Sequence, residues 1–82
     1  MFKVMKRDGS LQEFNKGKII DVVVHAGAAY QDAVILADNV ERWVPSVAID
    51  GVVDHNQIRT KVLEFLTALD PKVAQNYESY RK

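Results

Sequence analysis

Five cations crowd the first eighteen residues, Lys3, Lys6, Arg7, Lys16 and Lys18, against only two carboxylates, Asp8 and Glu13. Ammonium and guanidinium groups at that density bind anions through charge and directed hydrogen bonds. Lys16 and Lys18 make the point sharper. They follow Asn15, a good N-cap residue, and so fall at the first and third positions of a helix, where a positive charge opposes the helix dipole by about 0.3–1 kcal/mol. Gly17 between them leaves room for a ligand to approach closely. Free backbone donors, two lysines and a glycine at a helix start are the parts of an anion site. The competing reading is a set of ordinary surface lysines, some of them neutralised by Asp8 or Glu13. A Walker-type phosphate loop is absent. Further on, His55 and Arg59 stand four residues apart and share one face at the start of another helix, and Arg81 and Lys82 close the sequence.

The zero formal net charge of the 82 residues hides a segregation. Residues 1–18 carry a net +3, residues 19–54 a net −5 and residues 55–82 a net +2. A nucleic-acid-binding domain is usually basic overall, so this balance disfavours DNA and suits a small anionic ligand held between two basic ends. No cysteine is present. That removes disulfides, zinc ribbons and thiol chemistry, and it fits a reducing cytoplasm. Apolar runs are only a few residues long, too short for a membrane span or a secretory signal. With 48% hydrophobic and 27% charged residues, the chain reads as one folded domain over residues 1–82.

The elements that must position these residues follow from periodicity and punctuation. Residues 2–6 and 11–14 read as two short strands around Arg7-Asp8-Gly9-Ser10, since Asp-Gly is a strong hairpin signal. Asn15 caps a first helix in which Ile19, Val23 and Ala26 recur at helical spacing, with Ile20 and Val24 beside them, up to Gly27. A buried strand would also account for the valine run. A second helix fits residues 29–44, with Tyr30, Ala33, Val34, Ala37 and Val40 as its apolar stripe and Pro45 as its end. Ile49 to Val53 reads as a turn and a very short strand. Asp54-His55-Asn56-Gln57 has the form of a capping box. Behind it Ile58, Val62, Phe65, Leu66 and Leu69 make the clearest amphipathic stripe in the sequence. Asp70-Pro71, a cap followed by proline at the first helical position, opens a fourth helix with Val73, Ala74, Tyr77 and Tyr80 facing inward. The fold class is α+β: a four-helix bundle capped by a small sheet, made of an N-terminal β-hairpin and a short third strand.

With these elements in place, Val4-Met5-Lys6-Arg7-Asp8-Gly9-Ser10, followed by Phe14-Asn15 and Lys18-Ile19, resembles the opening of the ATP-cone domain. The resemblance continues through Ile58, Val62 and Leu66 and through Tyr77 to Arg81, so it spans nearly the whole sequence. ATP-cones are regulatory nucleotide-binding modules, best known at the N-terminus of ribonucleotide reductases and also found in the zinc-ribbon repressor of reductase genes. The resemblance implies four helices under a three-stranded sheet, and a site for ATP or dATP, with or without Mg2+. It assigns Lys6, Arg7 and Lys18 to the triphosphate, and Val4, Gln12, Asn15 and Ile19 to the adenine and ribose. His55 and Arg59 take the third-helix positions facing the nucleotide, and Lys82 a closing basic position. Two departures bear on ATP-versus-dATP preference. Position 12 is often acidic in relatives, whereas Gln12 is neutral and can both donate and accept. His55 and Arg59 stand where some regulating members have a hydroxyl and a histidine.

Other residues invite chemistry without supporting it. His25 has no His, Cys or carboxylate at metal-ligand spacing. Trp43 reads as a core or rim anchor, with a partner contact as the alternative. Asp21, Asp32, Asp38 and Glu41 read as a solvated helical face. No spacing pairs a nucleophile with a base, so the chain is not expected to be an enzyme. The cysteines needed for ribonucleotide reduction, or for the repressor's zinc ribbon, are missing. The sequence therefore reads as a cytoplasmic regulatory domain, cut from or encoded apart from the reductase-type protein that it controls. The runner-up is a helical protein-interaction module that keeps the cone fold without the ligand.

Overall fold

The computed structural model describes residues 2–79. Three short strands, β1 (Lys3–Met5), β2 (Leu11–Glu13) and β3 (Val52–Asp54), form one sheet in the order β2-β1-β3. Four helices complete the chain: α1 (Lys16–His25), α2 (Tyr30–Val47), α3 (His55–Leu69) and α4 (Pro71–Ser79). The α+β class, the four helices and the three-stranded cap are as the sequence predicts. Tyr80, expected on the inner face of the fourth helix, lies outside the described residues, as do Arg81 and Lys82.

β1 and β2 pair antiparallel, with Val4 opposite Gln12 and Met5 opposite Leu11. Their connection closes through Gly9 N–H to the Lys6 carbonyl at 2.9 Å and Lys6 N–H to the Ser10 carbonyl at 2.8 Å. Gly9 takes φ 88°, a conformation that side chains disfavour. Asp8 fixes the turn further by accepting from the Ser10 amide at 2.9 Å and the Ser10 hydroxyl at 2.6 Å. β3 pairs parallel to β1, with Val53 beside Val4. It enters through a two-residue turn in which Asp50 (φ 54°) and Gly51 (φ 76°) both have positive φ, the type I′ geometry that matches strand twist.

The core lies between the helices, with Val53 of β3 joining it from the sheet. Val23, Val40, Val44, Val53, Val62 and Leu66 are its largest fully buried side chains. Asn15, Asp54 and Asp70 cap as expected: Asn15 Oδ1 accepts from Lys18 N–H, and the Asp54–Gln57 capping box is complete. Asp70 Oδ1 accepts from the Lys72 amide at 3.0 Å. Asn76 ties α4 to α1 by donating to the Ala26 carbonyl at 2.9 Å.

Two expectations for α2 need correction. Pro45 does not end the helix, which runs on to Val47. In a last turn, proline forfeits a single intrahelical bond. Continuing the helix keeps Val44 buried, worth about 1.5–3 kcal/mol, and lets the Ala48 amide reach the Val44 carbonyl at 2.9 Å. The buried stripe is also shifted. It comprises Ala33, Leu36, Ala37, Val40 and Val44, whereas Tyr30 is 69% exposed. Likewise Val24 in α1 and Leu69 in α3 fall outside the core and are exposed.

Candidate functional site

Strand alternation decides which hairpin residues share a face. Val4 and Lys6 lie two apart on the β1 side, and Gln12 and Phe14 two apart on the β2 side. Together with Asn15, Lys18 and Ile19 of the first turn of α1, and His55 and Ile58 of the first turn of α3, they line one cavity of about 180 Å³. Seven of the ten residues predicted from the sequence therefore meet at one place: Val4, Lys6, Gln12, Asn15, Lys18, Ile19 and His55. A neighbouring hollow of about 320 Å³ shares Lys18, Ile19 and Ile58 and continues past Val22 and Val62 to Tyr77.

The other three predicted residues stand differently. Arg7 sits in the exposed hairpin turn, beyond the end of β1, and does not line the cavity. Arg59 is half-buried on α3, one position past Ile58, and is also outside the lining. Lys82 lies outside the described residues.

The walls are apolar, from Val4, Phe14, Ile19 and Ile58, and the polar groups stand at their margins. Lys6 and Lys18 have no ion-pair partner among the described residues. Lys6 does act at longer range on Asp8. The Asp8 carboxyl is held below its ordinary range first by the Ser10 hydroxyl and amide, and to a smaller extent by the Lys6 charge. Asn15 is divided between two tasks. Its Oδ1 accepts from Lys18 N–H at 3.3 Å, which leaves the Nδ2 amino group as a donor for a ligand. His55 Nε2 lies 3.9 Å from Asp54 Oδ1, and its ring is about three-quarters buried, with 27% of the side chain accessible.

Lys16 corrects the sequence reading of the helix start. Its ammonium is engaged, donating to Asp38 Oδ1 at 2.7 Å and to Glu41 Oε1 at 3.4 Å on α2. The Asp38 hydrogen bond raises the Lys16 pKa above its ordinary value, and the same bond lowers that of Asp38. Those two acids are therefore partners of α1 and not merely a solvated face. Gly17 does not line the cavity either. A Cβ there would come within 3.2 Å of Asn15 Oδ1, so the missing side chain leaves room for the cap oxygen. Lys3 follows the bland alternative, pairing across the hairpin with Glu13 at 3.7 Å.

Phe14 and Ile58 line the cavity without having been singled out for it. Alternation from Gln12 gives Phe14, and the three-residue helical step from His55 gives Ile58 where the four-residue step gives Arg59. Elsewhere, Trp43 is a partly buried neighbour of the core with the Lys61 ammonium 5.2 Å from its ring centroid. His25 Nδ1 lies 3.0 Å from the Asp21 carbonyl oxygen. No helix among the described residues is long and apolar enough to cross a membrane.

The unit is thus a hairpin-capped helical fold with lysines and amides around an apolar slot. In a comparison with known families, the ATP cone domain matches residues 2–82, essentially the whole chain. The chain belongs to the ATP cone family, whose domain is a regulatory nucleotide-binding module. A comparison with curated proteins gives no match.

Proposed function

We propose that the chain binds ATP or dATP in the cavity beneath the hairpin and passes the binding state to a protein partner, a ribonucleotide reductase or a related cytoplasmic enzyme. One observation carries this reading. Side chains from the hairpin, α1 and α3, spread from Val4 to Ile58, line a single slot whose two lysines, without an ion-pair partner among the described residues, stand beside apolar walls. At about 180 Å³ the slot is smaller than the roughly 300–1,000 Å³ of ordinary ligand sites. It suits a base or a sugar, with the phosphates extending past Lys6 and Lys18. In this arrangement Val4, Phe14 and Ile19 flank the adenine, and Asn15 Nδ2 and Gln12 supply hydrogen bonds to its edge. Lys6 and Lys18 meet the phosphate oxygens, and Arg7 in the adjoining turn extends the positive field. Mg2+ would be carried by the phosphates, since the lining contains no carboxylate. Arg59 and Lys82 complete the proposed set from outside the slot. His55 is placed to accept from a ribose hydroxyl and so to distinguish the two sugars.

Switching requires that nucleotide have different affinities for two arrangements of the module. Isothermal titration with ATP and with dATP tests the reading. Micromolar binding, on the order of −8 kcal/mol, is expected. No heat and no thermal shift at millimolar nucleotide would leave the module as a helical interaction domain without a ligand.

A further inference from the structure

Lys16 differs from the other lysines of the amino-terminal segment in spanning two helices, and its partners lie 22 and 25 residues away in sequence. We propose that Lys16, held by Asp38 and Glu41, is a positioning residue for the nucleotide slot: the tie fixes the first turn of α1 on α2 and so sets where Asn15, Lys18 and Ile19 stand. The inference rests on the nucleotide reading given above.

The local chemistry of α1 makes such a tie necessary. Its first turn contains no acidic residue and two lysines, so the helix dipole works against it. Its cap bond, from Lys18 N–H to Asn15 Oδ1, is long at 3.3 Å. Helix ends fray, and a start of that kind gains from an outside contact that holds it in register. The Lys16–Asp38 contact does so with a charge-assisted bond of 2.7 Å to the middle of α2, the longest helix in the molecule. Lys18, two residues on, is thereby freed to remain unpaired at the slot. Lys16 also balances two carboxylates beside an anion-binding helix start, where they would otherwise repel phosphate.

The positioning role and a purely electrostatic one make opposite predictions. If charge alone mattered, removing Asp38 and Glu41 would release a third cation and tighten ATP binding, while removing Lys16 would weaken it. A positioning role makes both changes weaken binding. The experiment is calorimetric titration of ATP into the wild-type chain, Lys16→Met, Lys16→Arg, the double variant Asp38→Asn/Glu41→Gln and Asn76→Ala, with thermal melts of each without nucleotide. Asn76→Ala serves as the stability control, since it loosens the opposite end of α1. Lys16→Met and the double variant are expected to lose affinity in the same direction, by roughly 3- to 30-fold, the range for residues that act through others. Lys16→Arg, which can reach both carboxylates, should recover most of the loss, and Asn76→Ala should bind ATP normally. Opposite shifts in the two disrupted variants overturn positioning in favour of charge. Lower melting temperatures with unchanged affinity reduce the tie to fold support and also overturn it. If Lys16→Met does not fold, Lys16→Arg against the double variant still gives the direction. A wild-type chain that takes up no ATP overturns the nucleotide reading itself, and this is known before any variant is compared.

Discussion

The slot beneath the hairpin and the groove between α2 and α3 are of similar size, about 180 and 260 Å³, yet they differ in both origin and chemistry. The slot draws on four elements and has lysines and amides around it. The groove is lined by Ile35, Leu36, Phe65, Ala68 and Leu69, with Asp32 and Asn39 as its polar residues, and it has no cation. Ile35 is 55% and Leu69 51% exposed there. A phosphate-bearing ligand finds compensating charge only in the slot, whereas the groove offers apolar contact beside a carboxylate. Enclosure alone would not rank one above the other as a ligand site. The decisive difference is that, among the described residues, cations without an ion-pair partner converge on one and are absent from the lining of the other.

The strongest way to break that contrast is Lys18→Gln. Loss of one charge-assisted contact to a partly buried phosphate should weaken ATP by about 1.5–3 kcal/mol, roughly 10- to 150-fold. Because Lys18 opposes the helix dipole, the empty domain should melt at the same temperature or slightly higher. Calorimetry and a melt on one preparation check both halves. A variant that loses stability but binds normally would make Lys18 structural and put the ligand elsewhere.

A finer test uses α3, which contributes to both regions. His55→Ala should change the ratio of ATP to dATP affinity by no more than about 10-fold, the worth of a single hydrogen bond of about 0.5–1.5 kcal/mol. Arg59→Ala should weaken both nucleotides alike, since a guanidinium outside the slot can reach phosphates but not the sugar edge. Titrating both nucleotides into both variants separates these roles. An unchanged ratio for His55→Ala removes the imidazole from the ribose, and unchanged affinity for Arg59→Ala removes that residue from the site.

Local signals carried much of this structure. Asn15, the Asp54–Gln57 box and Asp70-Pro71 marked the helix starts because caps are short-range chemistry, readable within four residues. The same holds for Asp8-Gly9 in the hairpin. What could not be read locally was set by partners distant in sequence. The parallel pairing of β3 with β1 depends on two intervening helices. The extension of α2 past Pro45 depends on the core holding Val44. Lys16 looked like Lys18 in the sequence, and only the approach of α2 separates them by placing Asp38 within 2.7 Å. Arg7 shows a different limit: the motif names it, but it falls in the exposed hairpin turn beyond β1 and outside the lining of the slot.

On the groove side, Ile35→Ser and Leu69→Ser should leave ATP affinity unchanged. Exposed side chains away from caps and core typically alter stability by no more than about 0.5 kcal/mol. Titration and melting check both expectations. A clear loss of ATP binding in either variant would mean that the two regions are coupled through α3 and are not separate sites.

The direct share of the Lys16–Asp38 tie in stability is small, and pH isolates it. Asp38 has its pKa lowered from 3.8 by the Lys16 hydrogen bond, so its contribution is present above that value and is lost as pH falls through the lower, folded-state value. Lys16 has its pKa raised from 10.5 by the same bond, so its contribution is present below that value and is lost as pH rises through the higher, folded-state one. The difference in melting temperature between the wild-type chain and Lys16→Met should therefore be flat between about pH 5 and 9 and shrink outside it. Both side chains are 37% accessible, so the plateau should be low and should fall further with added salt. Melts across this range at low and high ionic strength decide the matter. A step near neutral pH in place of a plateau would assign the stabilisation to a histidine and leave the tie without a measurable share in holding α1 to α2.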